Sequence, residues 1–161
     1  MLILTEQGET MSPDQLTHLT YASAAVPGIQ TSDLRSILEI SQNNNSRRSI
    51  TGMLLYTAGS FFQVLEGDDA ALQGVFAAIV ADSRHTNVTK IIHEPITRRV
   101  FGDWTMGFAE VDTAAMATIE GLNDFFQQGL SLTSLEPGRA QKLLSAFGQG
   151  RWRARLLGRI Q

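Results

Sequence analysis

The alternation of hydrophobic and polar positions along the chain predicts five β-strands. A weakly alternating segment, 16–22, predicts the first strand. The β-rich segments 50–57 and 61–65 flank Ala58-Gly59, which predicts a hairpin because glycine supplies the positive φ of a tight turn. Segment 88–93 predicts a fourth strand. A fifth strand is predicted by three alternating apolar residues, Trp104, Met106 and Phe108.

Apolar residues at helical spacing predict two helices between these strands. The first has its apolar face around Leu34, is capped by Thr31 or Ser32, and is stopped by the three asparagines at 43–45. The second has its apolar face within 72–80. The resulting order, β-α-β-β-α-β-β, predicts an α+β fold of the ferredoxin-like type, with both helices on one face of a five-stranded mixed sheet.

Two further helical patterns follow Asp112, and the second of them follows Pro137, a residue favoured in the first turn of a helix. We therefore expect an N-terminal tail at 1–15, one folded domain at 16–112, and a C-terminal helical extension with a basic tail at 113–161.

Composition narrows the functional classes. The 161 residues include 43% hydrophobic and 18% charged residues, which is typical of a globular domain. The chain has no cysteine, which excludes disulfides, thiolate metal sites and cysteine nucleophiles. No secretory signal or membrane-spanning run is visible, so we expect a cytoplasmic protein without membrane contact.

Charge is distributed unevenly along the chain. Residues 1–136 hold sixteen acids and seven Lys or Arg, a charge of −9, whereas residues 137–161 hold six Lys or Arg and no acid, a charge of +6. A basic end on an acidic body indicates docking within the chain, docking on a partner, or a nucleic-acid contact. The alternative is a solvated amphipathic end.

Polar residues interrupt the apolar face of the first predicted helix near its end. Ile37, Ser41, Asn44 and Asn45 lie on neighbouring parts of one face. Two amides can each donate and accept, which suits a heterocycle edge that presents both C=O and N–H. The alternative is a helix-end cap with an asparagine in the left-handed region.

Gln63 lies within a strongly apolar strand, 61–65. If its face is buried, its amide needs a partner, because an unpaired buried amide costs about 1–3 kcal/mol. The phenol of Tyr21, in the middle of the first strand, is the candidate partner. The alternative is that Gln63 faces solvent by simple alternation.

The segment Asp82-Ser83-Arg84-His85 follows the second helix. Arg84 can bind a carbonyl or phosphate, and His85 can stack or form a hydrogen bond. The alternative is a helix end with favourably placed cations. Similarly, Trp104 and Met106 can simply be core residues. No phosphate loop, metal-binding spacing or nucleophile elbow is present, and the three histidines lie on different predicted elements.

In combination, these segments resemble the BLUF family of blue-light sensors. The resemblance runs from about Leu16 to about Val111. Its specificity comes from the order of four motifs, ITG at 50–52, F-x-Q-x-L-E-G at 61–67, D-x-R-H at 82–85 and F-x-x-W-x-M at 101–106.

The resemblance implies a noncovalently bound flavin, usually FAD, between the two helices. It assigns cofactor contacts to Asn45, Asn44, Arg84, His85, Asp82 and Ile37. It assigns a photoactive pair, Tyr21 and Gln63, with Ser41, Trp104 and Met106 around the glutamine. Light-driven electron and proton transfer from the phenol then rearranges the amide, by rotation or tautomerisation, and shifts the absorption to the red.

The resemblance also implies a sensor without enzymatic activity of its own, which signals through the fifth strand to the C-terminal helices. Its expected partners are a second copy of the chain and a downstream protein. Two alternatives stay open: a small flavin-dependent or acyl-phosphate-type enzyme, and a nucleic-acid-binding module of the RRM type. The acidic body argues against nucleic acid, because phosphate binding requires a basic face.

Overall fold

The computed structural model describes residues 3–4, 10–57, 59–102, 106–110, 137–138 and 140–142. In chain order its elements are β1 (Ile3–Leu4), β2 (Thr10–Met11), β3 (Leu16–Ala25), α1 (Thr31–Arg47), β4 (Thr51–Thr57), β5 (Ser60–Asp68), α2 (Asp69–Ala81), β6 (His85–Pro95) and β7 (Gly107–Glu110). From β3 onward this is the predicted order β-α-β-β-α-β-β. The short pair β1–β2 lies in the segment that was expected to be a tail.

The five later strands form one mixed sheet in the order β6-β3-β5-β4-β7. β3 pairs antiparallel with β5 and β6, β4 pairs antiparallel with β5, and β4 pairs parallel with β7. The helices lie on one face, so the predicted ferredoxin-like α+β fold is confirmed. In this register Tyr21 is directly opposite Gln63.

Two glycines shape the β4–β5 hairpin. Gly59 has φ +78°, and Thr57 pairs with Ser60 across it, which confirms the predicted turn. A Cβ at Gly52 would lie 2.0 Å from the carbonyl oxygen of Val64, so no larger residue fits between the two strands without backbone movement.

The core has one layer on each face of the sheet. The layer beneath the helices combines residues of α1, α2 and the central strands, among them Leu19, Leu34, Leu38, Leu54, Leu65 and Leu72. Strand alternation places a second set of buried residues on the opposite face, including Ala22, Met53, Leu55, Phe62 and Val64.

Both predicted ends of α1 were wrong. Its N-cap is Gln30, whose backbone N–H donates to Asp33 Oδ2 at 2.9 Å, and the helix begins at Thr31. It continues through the asparagines to Arg47. The carbonyl of Asn45 then accepts the N–H groups of Arg48 and Ile50, around a left-handed Ser49 with φ 55°.

Other boundaries differ less. β3, β5 and β6 are longer than predicted, and β7 begins at Gly107, so Met106 directly precedes the strand instead of lying in it. Trp104 lies outside the described residues. Of the predicted helix after Pro137, residues 137–138 and 140–142 are helical. None of the helices in the described part of the chain is long and apolar enough to span a membrane.

Candidate ligand-binding site

A cleft between α1 and α2 opens above the central strands. The space between its lining side chains, including the open mouth, measures about 840 Å³. Apolar side chains from both helices form the walls, among them Ile37, Val75 and Ile79. Polar side chains of β3, β5 and the segment after α2 form the floor and one end.

Tyr21 and Gln63 form a hydrogen-bonded pair in the floor. The Tyr21 hydroxyl donates to Gln63 Oε1 at 2.5 Å, and Gln63 Nε2 donates to Met106 Sδ at 3.2 Å. Gln63 is 3% exposed, so the alternative in which it faces solvent is wrong. Each end of the amide therefore has a defined partner, and one of them is a weak sulfur acceptor.

The phenol of Tyr21 is held in its neutral form. Burial, and secondarily the Asp82 carboxylate, raise the pKa of Tyr21 well above its ordinary value. A neutral phenol keeps its O–H, so Tyr21 can donate a hydrogen bond, and it can lose an electron and a proton together when a strong oxidant is near.

The polar face of α1 lies in the same cleft. Ile37, Ser41, Asn44 and Asn45 all line it. The side chain of Asn45 is buried, with the residue 2% exposed, whereas Asn44 is exposed and accepts a bond from Arg47 at 3.4 Å. Since both asparagines lie inside the helix, the alternative of a left-handed asparagine cap is wrong.

Asp82 and Arg84 form a bidentate ion pair at one end of the cleft. Arg84 Nη2 donates to Asp82 Oδ2 at 2.6 Å, and Nε donates to Oδ1 at 3.0 Å. The side-chain hydrogen bond from Arg84 lowers the pKa of Asp82, and the same bond raises the pKa of Arg84. A guanidinium has five N–H donors, so this pairing leaves donors for a ligand carbonyl.

His85 is held between β3 and the end of α2. Its Nε2 is 2.6 Å from the carbonyl oxygen of Ile79, and its Nδ1 is 2.8 Å from Ser23 Oγ. A carbonyl only accepts, so Nε2 carries the hydrogen, and a neutral ring accepts the Ser23 hydroxyl at Nδ1. His85 thus lines the cleft and also binds a carbonyl in the last turn of α2.

Two polar contacts near the site were missed from the sequence. Gln42 Nε2 donates to the backbone oxygen of Met106 at 3.0 Å, which joins α1 to the start of β7. On the other face of β5, buried Glu66 accepts from Thr51 Oγ1 and from the N–H groups of Val100 and Phe101. The only available signal for Gln42 was its position directly after Ser41 on the helix. Glu66 was marked only as part of the motif F-x-Q-x-L-E-G, which does not show that it is buried.

The other histidines lie away from the cleft. His93 is 2.6 Å from Asp69 at the start of α2, and His18 is 3.3 Å from Glu94. Among the described residues no group of three potential metal ligands is close enough to hold an ion.

This set of side chains fits a flavin. A planar ring with apolar faces requires apolar walls, and its C=O and N–H edge requires amide and guanidinium partners. Ile37, Val75 and Ile79 line the cleft with apolar groups, and Asn45 and Arg84 line it with an amide and a guanidinium. The hydrogen-bonded Tyr21–Gln63 pair lies in the floor of the same cleft.

Comparisons with known proteins agree with this geometry. The profile of the family described as BLUF, sensors of blue light using FAD, matches residues 16–107. The β subunit of a photoactivated adenylate cyclase from Euglena gracilis is 38% identical over 123 residues, which cover 75% of this chain and 14% of that protein. The chain thus spans about one seventh of the length of such a relative.

Solved structures are similar over most of the chain. BlrB, a BLUF protein in its dark state, has a TM-score of 0.71 and 31% identity, and the match covers 86% of this chain and 99% of that one. BlrP1 of Klebsiella pneumoniae, solved with FMN and cyclic diGMP, has a TM-score of 0.59 and 30% identity over 86% of this chain and 36% of that one.

Proposed function

The chain belongs to the BLUF family and is a flavin-binding blue-light photoreceptor, and we propose that Tyr21 and Gln63 are its photoactive pair. The observation that carries this proposal is the buried chain of contacts from the Tyr21 hydroxyl through the Gln63 amide to the Met106 sulfur. It places a redox-active phenol next to a side chain that has two alternative orientations.

The cofactor we propose is FAD, held by the cleft between α1 and α2. The family description names FAD, and a relative was solved with FMN, which has the same flavin ring. Asn45 and Arg84 bind the polar edge of the ring, Ile37 packs on its face, and Asp82 and His85 fix that end of the cleft. Asn44 lies at the exposed rim of the cleft and forms a further contact with the flavin from that side.

A bound flavin supplies, when excited by blue light, a strong oxidant within the cleft. Tyr21 is the electron donor, because its phenol is buried, neutral and in the floor. With a flavin bound, the electron would pass to the excited flavin and the proton would move along the hydrogen bond to Gln63 Oε1, so the phenol would lose both without a change in its own charge. The return of the electron and the proton restores Tyr21 and leaves the amide as the changed group.

Gln63 stores the light signal in its orientation. In the described arrangement Oε1 accepts from Tyr21 and Nε2 donates to Met106 Sδ. Rotation of the amide by half a turn exchanges these two ends. Ser41 lines the same cleft, and we propose it as a further contact for the rearranged amide. Trp104 belongs to the same proposed environment and lies outside the described residues.

The signal leaves the site through Met106. β7 begins at the next residue and pairs with β4 from Met53↔Gly107 onward, so a displaced Met106 changes the start of an edge strand. We assign 16–112 to the sensor domain and 113–161 to the output. We propose that its target is a second copy of the chain or a downstream protein. The matched region itself is a sensor module.

The experiment that tests this function is an absorption spectrum of the purified protein before and after blue light, with dark recovery followed. We expect a flavin spectrum that shifts slightly to the red and returns in the dark. Tyr21→Phe keeps the ring packing and removes the O–H, so it should retain flavin and lose the shift. A normal photocycle in Tyr21→Phe would contradict the mechanism, and bleaching in place of a shift would contradict the function.

A further inference from the structure

Met106 is held from two sides in the described residues. Its sulfur accepts from Gln63 Nε2 at 3.2 Å, and its backbone oxygen accepts from Gln42 Nε2 at 3.0 Å. Gln63 belongs to the sheet and Gln42 to α1, so this one residue connects the floor of the cleft to the helix that lines its wall. Met106 is fully buried and Gln42 is half-buried.

Met106 also packs against apolar neighbours. Its methyl group lies close to Gly52, where an added Cβ would be 3.2 Å from Met106 Cε, and the residue belongs to the buried core cluster. Such packing is not directional, and methionine has three rotatable bonds and adapts readily. The backbone bond from Gln42 is therefore a directional contact that adds to the packing in fixing where the residue lies.

We propose that Gln42 is a positioning residue that holds the Met106 sulfur against the Gln63 amide and so sets how fast the rearranged amide returns in the dark. This inference rests on the proposed function of the Tyr21–Gln63 pair. Gln42 does not act on the reacting atoms itself. It acts by fixing the position of Met106.

The direction of the effect follows from hydrogen-bonding chemistry. Before illumination the amide N–H of Gln63 faces the sulfur, which accepts weakly. After half a turn the amide oxygen faces the sulfur, and two acceptors meet without a proton between them. A Met106 held in place therefore destabilises the rearranged amide and drives its return. A Met106 that can withdraw leaves the rearranged amide longer-lived.

The test measures the dark recovery rate of the red-shifted flavin absorption in Gln42→Ala. Loss of one hydrogen bond of ordinary strength should slow recovery about fivefold. Gln42→Glu keeps the volume and removes the donor, so it should slow recovery at least as much, and it serves as the second variant if Gln42→Ala folds poorly. The matched control is Asn43→Ala, an exposed amide on the next residue of α1, which should recover at the original rate.

A double-mutant comparison separates positioning from general destabilisation. Met106→Leu removes the sulfur, so adding Gln42→Ala to it should leave recovery unchanged from Met106→Leu alone. Equal slowing by Gln42→Ala with and without the sulfur would overturn the inference, as would an unchanged or faster recovery in the single variant. If the original chain binds flavin but shows no shift, the proposed function fails and takes this inference with it. A normal shift with unaltered recovery in Gln42→Ala overturns this inference alone.

Discussion

Gln63 and Glu66 lie three residues apart on β5, and both are buried, but they point to opposite faces of the sheet and are held in different ways. Gln63 has one strong partner and one weak one, the Tyr21 hydroxyl and the Met106 sulfur. Glu66 is 1% exposed and accepts three bonds of 2.7–3.0 Å from a hydroxyl and two backbone N–H groups.

We call Gln63 the switch, because its amide can turn, and Glu66 the anchor, because its carboxylate is held in one place. A carboxylate surrounded by donors has one good orientation, because each of its oxygens is already matched to N–H or O–H. A neutral amide has a donor end and an acceptor end, and one of its two partners here is a weak acceptor, so turning it costs less than displacing a carboxylate from three donors. Arg99 reinforces the anchor through bonds to the carbonyls of Ser49 and Glu66. The same strand thus carries a movable residue on the cleft face and a fixed one behind it.

The largest effect should come from removing the anchor. Glu66→Leu leaves the N–H groups of Val100 and Phe101 without their carboxylate, and we expect the free energy of unfolding to fall by about 3–5 kcal/mol. Urea unfolding followed by circular dichroism measures this. Glu94→Gln, a half-buried acid on β6, is the control and should change stability by less than about 1 kcal/mol. A loss no greater than that of the control would remove the distinction between anchor and switch.

Replacing Gln63 should lower the free energy of unfolding less than replacing Glu66 does, but it should remove the response to light. Gln63→Leu leaves the Tyr21 hydroxyl unpaired, which should lower the free energy of unfolding by about 1–3 kcal/mol and abolish the red shift. The double variant Tyr21→Phe with Gln63→Leu removes both partners, so stability should largely return while the shift stays absent. If the double variant is less stable than Gln63→Leu, the pair contributes to folding in the way that Glu66 does.

Residue patterns predicted the switch better than the anchor. An amide inside the apolar run 61–65 is conspicuous, and Tyr21 was named as its candidate partner because its phenol lies in the middle of the first predicted strand. Glu66 follows the same run directly and reads as an ordinary strand end, because its donors, Val100 and Phe101, come from a loop more than thirty residues away. Only the three-dimensional contacts show that this glutamate is buried.

Helix α1 shows the same limit at its C-terminal end. Three consecutive asparagines have poor helix propensity, so the sequence predicts that they stop the helix. In the structure they continue it, because the buried Asn45 side chain lies in the cleft and the carbonyl of Asn45 closes the last turn. Tertiary burial overrides propensity at the position where a ligand contact is proposed. The order of elements, which depends on longer patterns, was predicted correctly.

Asn45 is a third buried polar residue, and its proposed role is to bind the flavin. Asn45→Ala removes an amide from the wall of the cleft, and we expect flavin affinity to fall about tenfold, the effect of one lost hydrogen bond to a ring edge. Fluorescence titration of the apoprotein with flavin measures it. Asn43→Ala, exposed on the same helix, is the control. Unchanged affinity in Asn45→Ala would mean that Asn45 is structural, like Glu66.

The smallest effect should come from the ion pair at the end of the cleft, which is charged like Glu66 but lies closer to solvent. About 30% of each side chain of Asp82 and Arg84 is exposed, so solvent screens the pair and Asp82→Asn should lower the free energy of unfolding by less than about 1 kcal/mol at pH 7.

The bond from Arg84 lowers the pKa of Asp82 below its ordinary value of 3.8. A lowered pKa contributes stability above that ordinary value, and the contribution disappears as pH falls through the lowered pKa, because the unfolded chain takes up the proton first. The difference in stability between the original chain and Asp82→Asn should therefore be present at pH 7 and shrink as the pH is lowered below about 4. Urea unfolding of both proteins at pH 7 and pH 3 measures this, and a difference of equal size at the two pH values would show that Asp82 acts through packing and not through its charge.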